Sequence, residues 1–160
     1  KIILAIDNGG WSMEPYVEIV QALFHYSLSQ FKDVKTYFFH NTIYDLLWED
    51  PARRQKPVLL DDLSRRDPQT RVIYVGDASM APYELMVADG SIYAYERSGK
   101  PSIERMKYLA ETFEHSVWLN PVPERSWGYT QTIGVIRSVF PMFELSLDGL
   151  EKAVDCLMQK

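Results

Sequence analysis

Two segments of the sequence place an aspartate at the end of an apolar run and follow it with Ser-Met-x-Pro-Tyr. The first is DNGGWSMEPY at residues 7–16, and the second is GDASMAPY at residues 76–83. Serine is a good helix N-cap and proline suits a first helical turn, so local structure accounts for the Ser…Pro part. It does not account for the aspartates, Asp7 and Asp77, which are therefore the first candidates for chemistry.

An ionised carboxylate at the rim of an apolar strand is unfavourable unless it is hydrogen-bonded, paired or bound to a cation. If the strands that end at Asp7 and Asp77 are neighbours, the two carboxylates meet and repel each other. Ser12 and Ser79 add hydroxyl groups, and such oxygen ligands favour a hard divalent cation such as Mg²⁺. Alternatively, each aspartate caps its own loop through backbone N–H groups. The residues alone leave both interpretations open.

The elements that must position these aspartates alternate between strand and helix. Strands are predicted at Lys1–Ile6, Val34–His40, Thr42–Trp48, Arg71–Gly76, Ser116–Leu119 and Met142–Leu145. The first and fourth are nearly unbroken apolar runs, which is typical of strands that helices cover on both faces. Helical spacing of apolar residues is seen over Glu14–Phe31, Ser102–Glu114 and Thr130–Phe140, and in a last helix predicted to begin at Asp148 with Glu151 in a capping box.

This alternation predicts an α/β fold: a doubly wound, mostly parallel sheet in a three-layer α/β/α sandwich. One antiparallel edge hairpin is expected over residues 34–48, with Asn41 near its turn. Residues 49–57 are interpreted as a polar loop, and residues 88–101 as an insertion or flexible arm. In such a sheet, ligands bind beyond the carboxyl ends of the strands, where the strand order reverses.

Length and composition limit the classes of protein that need consideration. The chain has 160 residues, which we expect to form one domain, although it starts at Lys1 and is compatible with a piece of a longer protein. Its formal charge of −5 argues against a nucleic-acid partner. The single cysteine, Cys156, favours a reducing compartment such as the cytoplasm. No apolar run has the length of a membrane helix.

Four segments together resemble a von Willebrand factor A domain, with the bacterial CoxE-like branch as the most similar group. They are DNGGWSM, FFHN, VIYVGDASM and WLNP, and the resemblance covers essentially the whole chain. It implies a Rossmann-like sandwich with a metal-ion-dependent adhesion site, usually holding magnesium, at the carboxyl edge of the sheet. Asp7 then matches the first acid of the family pattern and Asp77 the last.

The rest of the family pattern is degenerate here. Gly9 and Trp11 stand where the resemblance implies two serines, and Ser12 is one residue late. Ser12 can serve only if Gly9 and Gly10 allow the loop to bulge. No threonine lies at the expected helix start, where the chain reads Arg-Arg-Gln-Lys-Pro over residues 53–57. The predicted metal ligands are Asp7, Ser12 and Asp77, and a basic side chain from residues 53–56 is the alternative counter-charge.

Further residues are expected near the edge of this site. Gly9, Gly10 and Ser79 belong to the two loops themselves. His40 and Asn41 either line the site or satisfy a turn. Trp127 and Tyr129 either form an exposed aromatic surface suited to a protein interface or pack beneath their loop.

The resemblance implies a protein-binding module rather than an enzyme, in which a partner's carboxylate completes the coordination shell of the cation. CoxE-like proteins are associated with MoxR-type AAA+ ATPases in metalloenzyme maturation or complex assembly, so such an ATPase is the expected partner. The alternative is a metal-dependent hydrolase, for example a phosphoesterase that uses Asp7 and Asp77. No Walker-type loop or Ser-His-Asp signature favours an enzyme. A phospho-accepting receiver domain would need an acidic pair after its first strand, where this chain has a glycine turn.

Overall fold

A seven-stranded sheet is formed by the residues that the structure, a computed structural model, describes: 1–9, 13–31, 33–88, 90 and 99–159. Its strands are β1 (Ile2–Asp7), β2 (Val34–Phe39), β3 (Leu46–Trp48), β4 (Pro57–Leu59), β5 (Arg71–Val75), β6 (Ser116–Asn120) and β7 (Met142–Glu144). The helices are α1 (Val17–Gln30), α2 (Leu60–Leu63), α3 (Pro82–Met86), α4 (Ser102–Thr112), α5 (Gln131–Arg137) and α6 (Leu147–Met158). Short 3-10 helices span Glu14–Tyr16 and Glu124–Tyr129.

The strand order is β4-β3-β2-β1-β5-β6-β7. Strands β2, β1, β5, β6 and β7 are parallel, whereas β3 is antiparallel to β2 and β4 is antiparallel to β3. The predicted α/β class, with a mostly parallel sheet and an antiparallel edge, is confirmed. From β1 the chain moves to β2 on one side and later to β5 on the other. The strand order therefore reverses between β1 and β5, which are neighbours.

Both faces of the sheet are covered, as the unbroken apolar strands require. Every residue of β1 is buried. On one face, Ile3 and Ala5 join a cluster that contains residues of α4 and α5. On the other, Leu4 and Ile6 join a cluster that contains residues of α1 and α6. A polar strand could not occupy this central position, because neither face meets water.

The antiparallel edge and one helix start differ from the sequence-based expectation. The second hairpin strand was expected over Thr42–Trp48, but β3 is confined to residues 46–48, and Thr42 forms only an isolated bridge with His40. The antiparallel edge also includes β4, whose first residue, Pro57, is the last residue of the predicted polar loop. The predicted start of α6 at Asp148 is wrong: Ser146 is the N-cap, and its hydroxyl accepts the Gly149 N–H at 3.0 Å.

The predicted arm at residues 88–101 lies largely outside the described residues. Among the helices that the structure does describe, none combines the length and hydrophobicity needed to cross a membrane.

Among the described residues, Trp118 is the largest fully buried side chain, and we predict that Trp118→Ala strongly destabilises the fold. Its ring stacks on Tyr74 at 5.6 Å, lies 5.9 Å from Phe140, and its Nε1 donates to the Gly76 carbonyl at 2.8 Å. The expected loss is about 3–5 kcal/mol in the free energy of unfolding, measured by urea denaturation. Tyr129→Ala is the control, because that ring is exposed; a Trp118→Ala loss below about 1 kcal/mol would contradict the packing described.

Candidate functional site

The register between β1 and β5 brings the two predicted aspartates together. Ile6 pairs with Val75, so Asp7 lies beside Gly76, the residue before Asp77. A Cβ atom built on Gly76 would lie 3.1 Å from the Asp7 Cβ, so the glycine leaves space for the carboxylate. Asp7 and Asp77 are only 1% and 2% exposed. The condition on which the meeting of the two aspartates depended, that their strands are neighbours, is therefore met.

The two oxygens of Asp7 have different surroundings. Oδ1 accepts the backbone N–H groups of Gly9 and Asn41, each at 3.2 Å. Oδ2 is buried and has no hydrogen-bond partner among the described residues. Burial, and then the charge of Asp77, raise the pKa of Asp7 to about 8, although the two N–H groups and the charge of Arg53 act in the opposite direction. The carboxyl group is thus incompletely compensated by its surroundings.

The Asp77 loop is held from two neighbouring elements. The Asp77 Oδ1 accepts the Ser79 N–H at 3.1 Å, and its carbonyl accepts the Asn120 side-chain amide at 2.9 Å. Ala78 has a φ of 56°, a conformation that non-glycine residues rarely adopt. The Thr132 hydroxyl, from α5, donates to the Ala78 carbonyl at 2.7 Å and so holds this strained backbone. Contacts within the protein therefore define the conformation of this loop.

The expectation that Ser79 caps the following helix is not met. Helix α3 begins after Ala81, whose N–H donates to the Glu84 carboxylate at 3.3 Å. Sequence reasoning missed Glu84, which is 5% exposed and is a third buried acid at this edge. Its position in the first turn after Pro82 is a recognisable capping pattern. Its burial could not be predicted, because that depends on contact with a distant turn.

That distant turn contains His40 and Asn41, which the structure places at the site. Asn41 has a φ of 60°; its N–H reaches Asp7, and its side-chain amide donates to Glu84 at 3.3 Å. It thereby links two of the buried acids. The His40 ring is buried against Gly9, and burial and the charge of Arg53 lower its pKa. Both residues satisfy the turn and line the site at the same time.

Residues 50–56, here called the Asp50 loop, pack on the end of β1. The Asp50 carboxylate accepts the N–H groups of Arg54 and Lys56, each at 2.8 Å. The Asn8 side chain donates to the Pro51 carbonyl at 2.7 Å and accepts from Arg53 Nε at 3.0 Å. The predicted polar loop is therefore ordered, and one of its basic residues lies near the acid pair.

A cavity of about 570 Å³ opens beside the site on the α1 face. Its walls are mostly apolar and include Ile6, Val17 and Phe38, and it reaches Asp7 and Asn8. Trp127 lies elsewhere: it is buried beneath its own loop and donates from Nε1 to the Val122 carbonyl at 2.7 Å. Of the two interpretations left open for these aromatic residues, packing beneath the loop holds for Trp127, whereas Tyr129 is 90% exposed.

Two of the predicted metal ligands, Asp7 and Asp77, lie among the described residues. Within the described part of the chain, no group of three or more His, Cys, Asp or Glu side chains could hold an ion. The predicted residues Gly10 and Ser12 lie outside the described residues. A divalent cation here would use the two aspartates with hydroxyl, backbone or water oxygens, which suits Mg²⁺. The buried, unpartnered Oδ2 of Asp7 fits that chemistry.

Comparison with known proteins gives no relative: no family model matches the chain, and no curated protein or solved structure matches it significantly. The resemblance to von Willebrand factor A domains remains a prediction from the motifs. The function has to be argued from the chemistry of the site.

Gly9→Ala is predicted to disturb the site, because a Cβ atom at this position would lie 2.1 Å from the His40 ring. We expect a loss of about 1–3 kcal/mol in the free energy of unfolding. Gly134→Ala is the matched control: nothing lies within 4 Å of its added methyl group, and a helical alanine should add about 0.5–1 kcal/mol. Urea denaturation of both variants measures the difference, and equal stabilities would contradict the close packing at Gly9.

Asp7→Asn is predicted to change how stability depends on pH. The pKa of Asp7 is about 8 in the folded state against 3.8 ordinarily, so between these values the folded state holds more protons than the unfolded state. The contribution of Asp7 to the free energy of unfolding therefore falls as pH rises, with a slope approaching about −1.4 kcal/mol per pH unit. The neutral asparagine removes this contribution.

Urea denaturation in chelator from pH 5 to pH 8 measures this effect. We expect the stability of Asp7→Asn relative to the natural chain to increase steadily with pH. Asp155→Asn, at an exposed position on α6, is the control and should follow the natural chain. Parallel curves for the natural chain and Asp7→Asn would contradict the raised pKa.

Proposed function

We propose that this chain is a cation-dependent protein-binding module, in which Asp7 and Asp77 hold a divalent cation and a partner protein supplies a carboxylate. The observation that carries the proposal is the buried Oδ2 of Asp7, which lacks a hydrogen-bond partner while the nearby Asp77 adds negative charge. A buried acid in this position is stabilised by a positive ligand. When bound, a divalent cation supplies that charge together with an open coordination position.

The residues around the acid pair support binding rather than catalysis. Gly9, Asn41 and Ser79 direct backbone N–H groups at the carboxylates and hold them in fixed positions. Ser12 is proposed as a further oxygen ligand from the loop between Gly9 and Met13. The ring of His40, whose pKa is lowered by burial and by the charge of Arg53, packs against Gly9. A phosphoesterase remains the alternative to be tested.

The cavity beside the site offers space for part of a partner protein. Its apolar walls lie next to Asp7 and Asn8, so a partner segment that brings a carboxylate to the site can bury an apolar side chain there. From the resemblance, a MoxR-type AAA+ ATPase in the cytoplasm is the partner to test first. The function proposed is assembly or maturation of a complex with that ATPase.

Thermal unfolding of the chelated protein during titration with Mg²⁺, Mn²⁺ or Ca²⁺ tests the proposal. At 100 times its Kd, a ligand specific for the folded state adds about 2.7 kcal/mol, which should raise Tm by about 5–10 °C in a chain of this length. Asp7→Asn and Asp77→Asn should abolish the shift, and Asp155→Asn should retain it. A shift that survives in both site variants, or no shift at all, would contradict the proposal.

The same protein, loaded with each cation, should be inactive on a panel of phosphate esters. Saturable hydrolysis that disappears in Asp77→Asn would favour the phosphoesterase instead. Pull-down of the ATPase with and without chelator completes the comparison, and the binding module predicts that chelation releases the partner.

A further inference from the structure

Arg53 is the one basic side chain that the described structure connects directly to the end of β1. Its Nε donates to the Asn8 Oδ1 at 3.0 Å, and its backbone N–H donates to the Asp50 carbonyl at 3.0 Å. Its φ of 55° lies in the left-handed region, a strained conformation for a non-glycine residue that persists only where its surroundings hold it. The Asp50 carboxylate, which accepts the following N–H groups, provides that support.

The guanidinium group of Arg53 lies beside Gly9, two residues after Asp7. A Cβ atom built on Gly9 would be 2.9 Å from one of its terminal nitrogens. Its charge lowers the pKa values of both Asp7 and His40, so it is electrostatically coupled to the site. Yet within the described part of the chain Arg53 forms no ion pair, and its terminal nitrogens donate no hydrogen bond.

A basic residue beside buried acids can act as their counter-ion or can bind a separate anionic group, and the contacts of Arg53 distinguish these two roles. A counter-ion for Asp7 would be expected to form a direct, bidentate ion pair with its carboxylate. Arg53 instead has Nε bound to Asn8, which orients the guanidinium, and its terminal nitrogens have no hydrogen-bond partner among the described residues. A planar fork held in this way matches the two oxygens of a carboxylate.

We propose that Arg53 is a specificity-determining residue that binds the carboxylate of an acidic segment of the partner protein at the mouth of the site. The inference rests on the proposed function, because without a cation the acid pair would repel the partner's carboxylate. Asn8 acts as the positioning residue for the guanidinium. The partner is thus expected to present an Asp or Glu side chain to two positive groups at once.

Acetate, as the simplest carboxylate, is the probe that tests this role. The ¹⁵N-labelled chain is titrated with acetate at saturating Mg²⁺ and in chelator, following the Nε–Hε signal of Arg53 by NMR. We expect a saturable shift of this signal that requires Mg²⁺. Arg53→Gln should weaken acetate binding about tenfold, because a charged, bidentate hydrogen bond is lost; its binding is followed by the backbone amides of residues 8 and 41.

Arg54→Gln is the matched control: it removes the same charge from the adjacent, exposed position, and should change acetate affinity less than about twofold. Arg53→Lys keeps the charge and loses the planar fork, and should resemble Arg53→Gln more than the natural chain. The Tm of each variant in chelator shows whether that variant is folded. If Arg53→Gln is unfolded, the acetate affinity of Arg53→Lys and the Nε–Hε titration of the natural chain decide whether Arg53 binds the carboxylate.

The outcomes distinguish this inference from the function on which it rests. If Mg²⁺ does not bind the natural chain, the proposed function and this inference both fail. If Mg²⁺ binds normally but Arg53→Gln leaves acetate affinity unchanged, the inference alone fails. A third outcome is that Arg53→Gln raises the Mg²⁺ affinity more than Arg54→Gln does and leaves acetate binding unchanged. That result would identify Arg53 as a counter-ion of the acid pair and would overturn the inference. Tighter binding of inorganic phosphate than of acetate would overturn the assignment to a carboxylate.

Discussion

The repulsion between two buried carboxylates, Asp7 and Asp77, is the constraint that shapes this edge of the molecule. Adjacent parallel strands bring them together, and burial removes the water that would screen them. Backbone N–H groups compensate one oxygen of Asp7, whereas the other has no partner among the described residues. Burial, and then the charge of Asp77, raise the pKa of Asp7, and a proton is the simplest positive ligand that this acid can take up. A divalent cation or a partner's basic group is the alternative, and the cation suits the oxygen chemistry of the site.

Backbone strain is concentrated at the same place. Among the described residues, the non-glycine residues with positive φ are Asp33, Asn41, Arg53 and Ala78, and the last three lie around the acid pair. Each strained residue serves the polar arrangement: Asn41 directs its N–H to Asp7, Ala78 turns the chain after Asp77, and Arg53 reaches Asn8. Strain of this kind persists where surrounding contacts hold it, and it is found most often at functional sites.

Sequence reasoning could predict the fold and the two aspartates because both depend on local, periodic signals. An unbroken apolar run indicates a central strand, and an acid at its end lies at the carboxyl edge whatever the rest of the chain does. It missed β4, whose short sequence pairs only because β3 offers an open edge. It also missed Glu84 and could not select Arg53 among the basic residues of 53–56, because their partners Asn41 and Asn8 are more than forty residues away. Those contacts are products of tertiary structure. The start of α6 was wrong for a different reason, since Ser146 and Asp148 are both good N-caps and only packing selects between them.

A crystal structure of the protein with saturating Mn²⁺, using anomalous scattering to locate the metal, tests most directly whether the acid pair holds a cation. The account predicts one strong anomalous peak between Asp7 and Asp77, about 2.1 Å from Asp7 Oδ2 and from a carboxylate oxygen of Asp77. It also predicts that the Asp50 loop keeps its position beside the metal. Absence of anomalous density between the two carboxylates at saturating Mn²⁺, or a peak bound only elsewhere on the chain, would contradict it. The pair would then be balanced by a shared proton and local N–H groups, and the proposed binding site would have no basis.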